Sequence, residues 1–119
     1  MKKIITINGI ACTFKSSAAV PRIYRLKYGR DIFVDLNSLK KNVKNQDPAK
    51  STLPIHSLEM FENVAYVMHK HGDPTQPDTI DEWLEQFETF DIYTVLPEIL
   101  ELWKLENQQT SVPKKEAGK

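Results

Sequence analysis

The feature that most constrains the fold of this sequence is an Asn8-Gly9 pair between two runs rich in β-branched residues, 2–7 and 10–15. Asn-Gly tolerates the positive φ angles of a type I′ turn, and the twist of that turn matches the twist of paired strands. The pattern therefore predicts a β-hairpin over residues 2–15.

The predicted hairpin needs further structure, because an isolated two-stranded ribbon is marginally stable in water and requires a helix over one face. We expect that face to carry Ile5, Ile7 and Phe14. A chain of 119 residues with 40% hydrophobic content suits one modest core. We predict an α+β fold, in which the N-terminal hairpin packs on about five helices within a single domain, residues 1–106. The polar segment 107–119 is predicted to be a flexible tail.

Five segments after the hairpin combine apolar residues at helical spacing with capping or terminating residues. Ser16 and Ser17 are candidate caps for the first helix, and Gly29 suits its end. The polar stretch 42–54 predicts a loop. The predicted helices cover residues 19–28, 31–43, 55–70, 80–89 and 92–106.

Two of these helices carry special signals. Thr79 and Glu82 have the spacing of a capping box at the start of the fourth helix. Asp91 can cap the fifth, but Pro97 lies inside its apolar pattern. Because proline lacks the amide donor, we expect that helix to begin near Leu96 or to kink there.

The third predicted helix places Leu58, Phe61, Ala65 and Met68 on one face, which we expect to be buried. It ends in His-Lys-His at 69–71. Histidines two residues apart on a helix point away from each other, so we interpret this segment as favourable charge at the helix C-terminus and not as a metal site.

Charge divides this chain into two parts. Residues 1–56 carry eleven Lys or Arg and three Asp or Glu, whereas residues 57–109 carry two and twelve. Complementary potentials speed association and fix its register, so the division predicts contact between the parts, within one chain or between copies. If the basic part of one copy contacts the acidic part of the next, the copies form rings or filaments. The candidate protein-interaction residues are Arg22, Arg25, Lys27 and Arg30 on the basic side, and Asp81, Glu85 and Glu88 on the acidic side.

No catalytic or cofactor-binding motif is present in the sequence. There is no glycine-rich phosphate loop, no Ser/His/Asp arrangement and no zincin helix. The carboxylates are predicted to lie on solvated helix faces, whereas general acid–base catalysis needs a partly buried pair. We therefore predict a non-enzymatic protein with no catalytic, cofactor or metal site. A single cysteine, Cys12, excludes an internal disulfide, and no segment has the length of a membrane span.

Several motifs, in their order along the chain, resemble the tail assembly chaperones of long-tailed, siphovirus-type bacteriophages of Gram-positive hosts. One departure concerns the hairpin, where the family commonly has a lysine after the turn and this chain has Ile10. The motifs that carry the resemblance are ITING at 5–9, YRLKYGRD at 24–31, FENVAYVM at 61–68, TIDEWL at 79–84 and LPEILELW at 96–103.

The resemblance implies a protein that coats the helical tape measure protein, promotes assembly of the tail tube protein around it, and is absent from the mature virion. It also implies a homo-oligomer, a possible longer frameshifted form of the chain, and action in the cytoplasm of the bacterial host. Neither a membrane nor a nucleic acid is an expected partner.

A DNA-binding alternative stays open. The basic residues around 22–30 are interleaved with Tyr24 and Tyr28, and such a patch can bind phosphates. The acidic second part of the chain and the isoelectric point near 6.8 disfavour this interpretation. The alternative function is a small phage or prophage DNA-binding regulator that uses the basic N-terminal half.

Overall fold

The structure of the protein is a computed structural model that describes residues 1–44 and 53–105. It confirms the predicted α+β architecture, with a two-stranded antiparallel hairpin packed on helices. Residues 45–52 of the predicted loop and the predicted tail at 107–119 lie outside the described residues. The elements are β1 (Lys2–Ile7), β2 (Ile10–Lys15), α1 (Ala19–Tyr28), α2 (Ile32–Lys44), α3 (Ile55–Gly72), α4 (Ile80–Leu84) and α5 (Ile92–Leu102).

The hairpin has the predicted turn and the predicted buried face. Asn8 and Gly9 have φ angles of 52° and 80°, as a type I′ turn requires. Ile5, Ile7 and Phe14 are at most 4% exposed, which confirms the expected covered face. Cys12 lies on the same face and is fully buried.

Helix α3 is the centre of the fold, because it contacts β2 and every other described helix. Its residues 64–69 are all buried, so it presents core-forming side chains around most of its circumference. None of the helices in the described parts of the chain combines the length and the apolar character needed to cross a membrane.

The last residue of α3, Gly72, has to be a glycine because the backbone of β2 passes too close for a side chain. A Cβ atom on Gly72 would lie 2.3 Å from the carbonyl oxygen of Thr13. Gly29 has a different role, since it ends α1 with a left-handed φ of 67° and has open space around its missing side chain. One glycine thus supplies space and the other supplies backbone freedom.

We expect Gly72→Ala to lower the free energy of unfolding by about 1–3 kcal/mol, because either α3 or β2 has to shift to relieve the overlap. Urea denaturation followed by circular dichroism measures the loss. Gly29→Asn is the matched control, since asparagine tolerates the left-handed conformation and meets no neighbour there. Wild-type stability in Gly72→Ala would contradict the close approach of α3 and β2.

The predicted helix over 80–89 is too long, because α4 ends at Leu84. After it, the N–H groups of Gln86 and Phe87 donate to carbonyls only three residues earlier in the chain. The N–H of Thr89 then donates to the Asn8 side chain at 2.9 Å, which joins the chain after α4 to the hairpin turn. The start of α4 follows the sequence signal, since the Thr79 hydroxyl accepts the N–H of Glu82 at 3.2 Å.

Of the expectations for the start of the fifth helix, the predicted range from residue 92 matches the structure, and a start near Leu96 is wrong. Asp91 caps the helix by accepting the N–H of Tyr93 at 3.0 Å, and α5 begins at Ile92 with Pro97 inside it. The strong cap lies far enough upstream for the helix to be established before the proline removes a donor.

The predicted end of α5 at residue 106 is also wrong, because the helix stops at Leu102. Lys104 adopts a left-handed φ of 58°, and the N–H of Leu105 donates to the carbonyl of Leu100 at 2.8 Å. This pattern is a Schellman ending, in which the buried Leu105 supplies the accompanying apolar contact. Lysine occupies the position where glycine is usual, so the sequence gives no stop signal.

The predicted serine caps of α1 are absent as well. Helix α1 starts at Ala19, and its N-cap residue, Ala18, has no side chain that could cap it. Ser16 instead donates to the carbonyl of Leu102 at 3.3 Å, and Ser17 forms a 3.2 Å hydrogen bond with His71. The two serines therefore attach the start of α1 to α5 and α3.

Candidate protein-interaction surface

Three of the predicted basic residues, Arg22, Arg25 and Lys27, are exposed on α1. None of them forms an ion pair with a carboxylate in the described parts of the chain. Residues two apart on a helix point to nearly opposite sides, so Ile23 and Lys27 share one side of α1 and Arg25 lies on the other. The free positive charge is therefore distributed around the helix.

Arg30, the fourth predicted basic residue, is also exposed, but its guanidinium is paired with a buried carboxylate. Its guanidinium makes two hydrogen bonds of 2.8 Å to the carboxylate of Asp35, and the Tyr24 hydroxyl donates to the same carboxylate at 2.6 Å. Asp35 is only 1% exposed. Arg30 thus fixes the junction of α1 and α2, unlike the other three cations.

The carboxylate of Asp35 is ionised. Burial alone raises the pKa of Asp35, but the hydrogen bonds from Arg30 and Tyr24 outweigh burial and hold the pKa below its ordinary value. Burial, followed by the bond to Asp35, raises the pKa of Tyr24. The junction is therefore a compensated buried charge and not a titrating site.

The predicted acidic residues Asp81, Glu85 and Glu88 are all exposed, and no described cation pairs with them. Asp81 belongs to α4, and Glu85 caps its C-terminus. Glu88 precedes Thr89, whose side chain and N–H both bind Asn8 at the hairpin turn. Glu88 therefore lies beside the hairpin tip, apart from the other two.

Only a few charges of the basic and acidic parts neutralise each other within the chain. Lys3 on β1 pairs with Glu98 and Glu101 on α5. Among the described residues, this cluster alone joins a cation of the basic part to carboxylates of the acidic part. Most of the complementary charge therefore remains exposed.

Helix α1 runs antiparallel to α3 along its length. Ser17 meets His71 near the end of α3, whereas Arg30 contacts the sulfur of Met60 at 3.6 Å near its start. Between these points, the ammonium of Lys27 lies 5.9 Å from the centre of the Tyr66 ring. One side of α1 therefore forms a wall beside α3.

Helix α4 packs on another side of α3. The Trp83 indole donates to His69 at 2.8 Å, and its ring centre lies 5.4 Å from that of Tyr66. On the side of α3 that faces α1, Val67 and His71 line a cavity together with Ile23 of α1. His69 lies two residues from each of them along α3. Because residues two apart diverge on a helix, α1 and α4 flank the strip of α3 that carries Tyr66 and Lys70. We call this feature the α1/α4 groove.

The end of the groove near Gly72 is an open cavity of about 380 Å³. Lys70 holds the turn that closes it, with contacts of 3.0 Å to the carbonyl of Pro74 and to the carboxylate of Asp78. Tyr66 donates to the carbonyl of Pro77 at 2.6 Å. The lining residues are Ile23, Lys27, Tyr66, Val67, Lys70, His71, Pro74 and Asp78.

The two walls of the α1/α4 groove have opposite charge. Lys27 lies in the α1 wall, while Asp78 and Glu82 lie on the α4 side. Burial raises the pKa of Tyr66, and these two carboxylates raise it further against the opposing effect of Lys70. The groove therefore has a floor that carries Tyr66 and Lys70, with Lys27 on one wall and two carboxylates on the other side.

A second exposed feature is apolar and lies on the first turns of α2 and α3. Helices α2 and α3 pack together, and Asn42 near the end of α2 donates a 2.9 Å hydrogen bond to the Ser57 hydroxyl in the first turn of α3. Leu58 was expected in the buried stripe of α3, but it is exposed, and that prediction is wrong. The members of this apolar surface are Phe33, Val34, Ile55 and Leu58, which are 39%, 63%, 77% and 37% exposed.

The His-Lys-His segment contributes to the core and not only to the helix end. His69 is 3% exposed, stacks on Phe14 with ring centres 5.3 Å apart, and accepts the Trp83 hydrogen bond on Nδ1. Burial lowers the pKa of His69, so the ring is neutral near pH 7. Among residues 1–44 and 53–105, no three His, Cys, Asp or Glu side chains are grouped to hold a metal ion.

Sequence patterns did not reveal the α1/α4 groove, because it depends on which sides of α3 the two helices occupy. The sequence offered one signal, the apolar Leu26 between two cationic residues of α1. Its side chain is 70% exposed in the structure. No protein-family model, curated protein or solved structure matches this chain.

Proposed function

We propose that the protein is a non-enzymatic tail assembly chaperone of a long-tailed bacteriophage. It coats the tape measure protein in the host cytoplasm and promotes assembly of the tail tube protein around it. The observation that carries this proposal is the apolar surface on α2 and α3, because large apolar side chains exposed on two packed helices are typical of a protein-binding site. A transient coat also requires contacts of modest area.

The motifs behind the family resemblance support the proposal through their structural roles. Residues 24–31 contain Tyr24 and Arg30 of the α1–α2 junction, and residues 79–84 form α4 with its threonine cap. Residues 96–103 contribute most of the buried face of α5. The motifs that carry the resemblance thus lie at the joints and in the core of this fold, and the proposed activity is inferred from the resemblance.

We expect the intact chain to recover the co-expressed tape measure protein of the same phage in an affinity pull-down. Val34→Asp combined with Ile55→Asp should reduce the recovered amount by about tenfold or more, because each change places a charge in an apolar contact. Quantitative immunoblotting of the eluted tape measure protein measures the effect.

Ile4→Asp is the matched control, since Ile4 is 64% exposed on the hairpin and lies outside the apolar surface. It should leave recovery unchanged. Failure of the wild-type chain to recover the tape measure protein would contradict the proposed function. Equal recovery by the wild type and the double variant would contradict the role of the apolar surface.

The second candidate is a small phage or prophage DNA-binding regulator. The observation that favours it is the exposure of Arg22, Arg25 and Lys27 without carboxylate partners in the described residues. The anionic wall across the groove opposes phosphate binding at Lys27. Tight binding of mixed-sequence DNA that weakens steeply with salt, measured by electrophoretic shift, would favour the regulator.

A further inference from the structure

One side of the first two turns of α3 is left uncovered by the described elements. We propose that segment 110–115 of the same chain, Thr-Ser-Val-Pro-Lys-Lys, docks on this side. The segment follows Leu105, the last described residue. The inference concerns contact within one chain and does not require a tape measure protein. We call this side of the helix the α3 stripe, and its members are Ile55, Leu58, Glu59 and Glu62.

The α3 stripe combines apolar and acidic side chains. Its members have the spacing i, i+3, i+4 and i+7, which places them on one side of a helix. Ile55 and Leu58 are 77% and 37% exposed. Glu59 is exposed and Glu62 is half-buried. A partner that suits the stripe therefore carries apolar groups and positive charge together.

The two carboxylates of the α3 stripe repel each other. Glu59 and Glu62 are three residues apart, and like charges at this spacing destabilise a helix. Burial raises the pKa of Glu62, and the charge of Glu59 raises it further. No cation of the described residues forms an ion pair with either carboxylate. A cation that reaches both of them offsets this repulsion.

Segment 110–115 has the complementary composition. Val112 and Pro113 supply adjacent apolar groups, and Lys114 and Lys115 supply two positive charges directly after them. Among the residues that lie outside the described parts of the chain, this arrangement occurs once. Proline has a fixed φ angle, so a segment that contains it loses less conformational entropy on docking.

The chain leaves the described structure near the start of α3. Lys40 on α2 donates to the carbonyl of Leu105, and Asn42, two residues further on, donates to the Ser57 hydroxyl at 2.9 Å. Leu105 and the first turn of α3 therefore lie on either side of the same end of α2. The seven residues from Leu105 to Val112 span up to about 23 Å, roughly twice the diameter of a helix. The segment is long enough to pass α2 and reach the α3 stripe.

The covalent connection compensates for the small size of the contact. A short linker holds two parts of one chain at an effective concentration on the order of 1 mM. A contact with a dissociation constant of about 1 mM between separate molecules is then occupied about half of the time. Two lysines and one apolar pair are therefore sufficient for a reversible contact. When docked, the segment covers Ile55 and Leu58 and so limits access to the apolar surface.

Paramagnetic broadening of amide signals tests the proposal on the isolated chain. A nitroxide on Ala117→Cys lies just outside the segment, and Cys12→Ala removes the natural thiol. In low salt, the label should broaden the amides of residues 55–62 more strongly than that of Ile4, which is exposed on the hairpin. Circular dichroism verifies that every labelled chain is folded.

Charge reversal separates docking from the random motion of a tethered label. Lys114→Glu with Lys115→Glu, or Glu59→Lys with Glu62→Lys, replaces attraction by repulsion. Each pair of changes should reduce the relaxation enhancement at residues 55–62 about fivefold. The chain that carries all four changes should regain the broadening, because the charges are again opposite.

Asp81→Lys with Glu85→Lys is the matched control. It reverses two exposed carboxylates that lie outside the α3 stripe and should leave the broadening at residues 55–62 unchanged. A mixture of nitroxide-labelled chains and unlabelled, nitrogen-15-enriched chains reports contact between copies. It should show no broadening at these residues, since the proposed contact is intramolecular.

Three results would overturn the proposal. The first is broadening that charge reversal does not reduce, and the second is a chain with all four changes that stays unbroadened. The third is broadening in the mixture, which would assign the α3 stripe to a second copy. Because these samples contain no tape measure protein, docking of the segment and recovery in the pull-down can fail independently.

Discussion

Replacing Asp35 with alanine should lower the free energy of unfolding by about 3 kcal/mol, at the low end of the range for breaking a buried ion pair. The change leaves the Tyr24 hydroxyl and the Arg30 guanidinium without their shared acceptor. We expect the low end because the Arg30 side chain is 43% exposed, so water partly solvates its charge once the carboxylate is gone. Urea or thermal denaturation followed by far-ultraviolet circular dichroism measures the loss.

Two further variants divide this effect. Tyr24→Phe removes one hydrogen bond to a charged group and should cost about 1.5–3 kcal/mol. Asp81→Ala removes an exposed carboxylate with no cationic partner in the described residues and should change stability by less than about 0.5 kcal/mol. If Asp35→Ala were as stable as Asp81→Ala, the junction of α1 and α2 would not depend on the buried charge.

Replacing Trp83 with alanine should cost about 3–5 kcal/mol. The indole is fully buried, and its ring centre lies 5.1–5.4 Å from three other aromatic rings, those of Tyr66, Phe87 and Phe90. Truncation leaves a large cavity and also removes the donor to His69. The measurement is the free energy of unfolding from urea denaturation, with tyrosine and remaining Trp103 fluorescence as the probe.

Trp83→Phe separates packing from the hydrogen bond. Phenylalanine retains an aromatic ring but leaves the Nδ1 acceptor of His69 unpaired, so this variant should lose about 1–3 kcal/mol, less than Trp83→Ala. Equal stability of the wild type and Trp83→Ala would refute the central role of α4 in the aromatic core.

Local signals in the sequence were sufficient where one short segment determines the outcome. Asn8-Gly9 sets the hairpin turn and Gly29 ends α1 at the predicted residue. Asp91 caps α5 with a hydrogen bond within its own first turn. In each case the residue that gives the signal and the backbone group that responds are at most a few positions apart.

Elements that depend on distant residues were predicted less well. The segment after α4 does not continue the predicted helix, and Asn8, 81 positions away, accepts the N–H of Thr89 there. Leu58 is exposed although its spacing matches the buried stripe, because no described element covers the first turn of α3 on that side. The charged candidate Lys27 was identified from composition, but its position across a groove from Asp78 and Glu82 required the packing of α1 and α4 on α3.

The burial of Cys12 gives the natural sequence a single-site reporter of local opening. The thiol is the only one in the chain, it is fully covered beneath the hairpin, and burial followed by the nearby Asp73 charge raises its pKa. A thiol reagent reacts with the exposed thiolate, so modification proceeds only through molecules in which the hairpin has moved away from α3. The modification rate of the unaltered protein therefore measures how often β1 and β2 detach from the helices, without any engineered label.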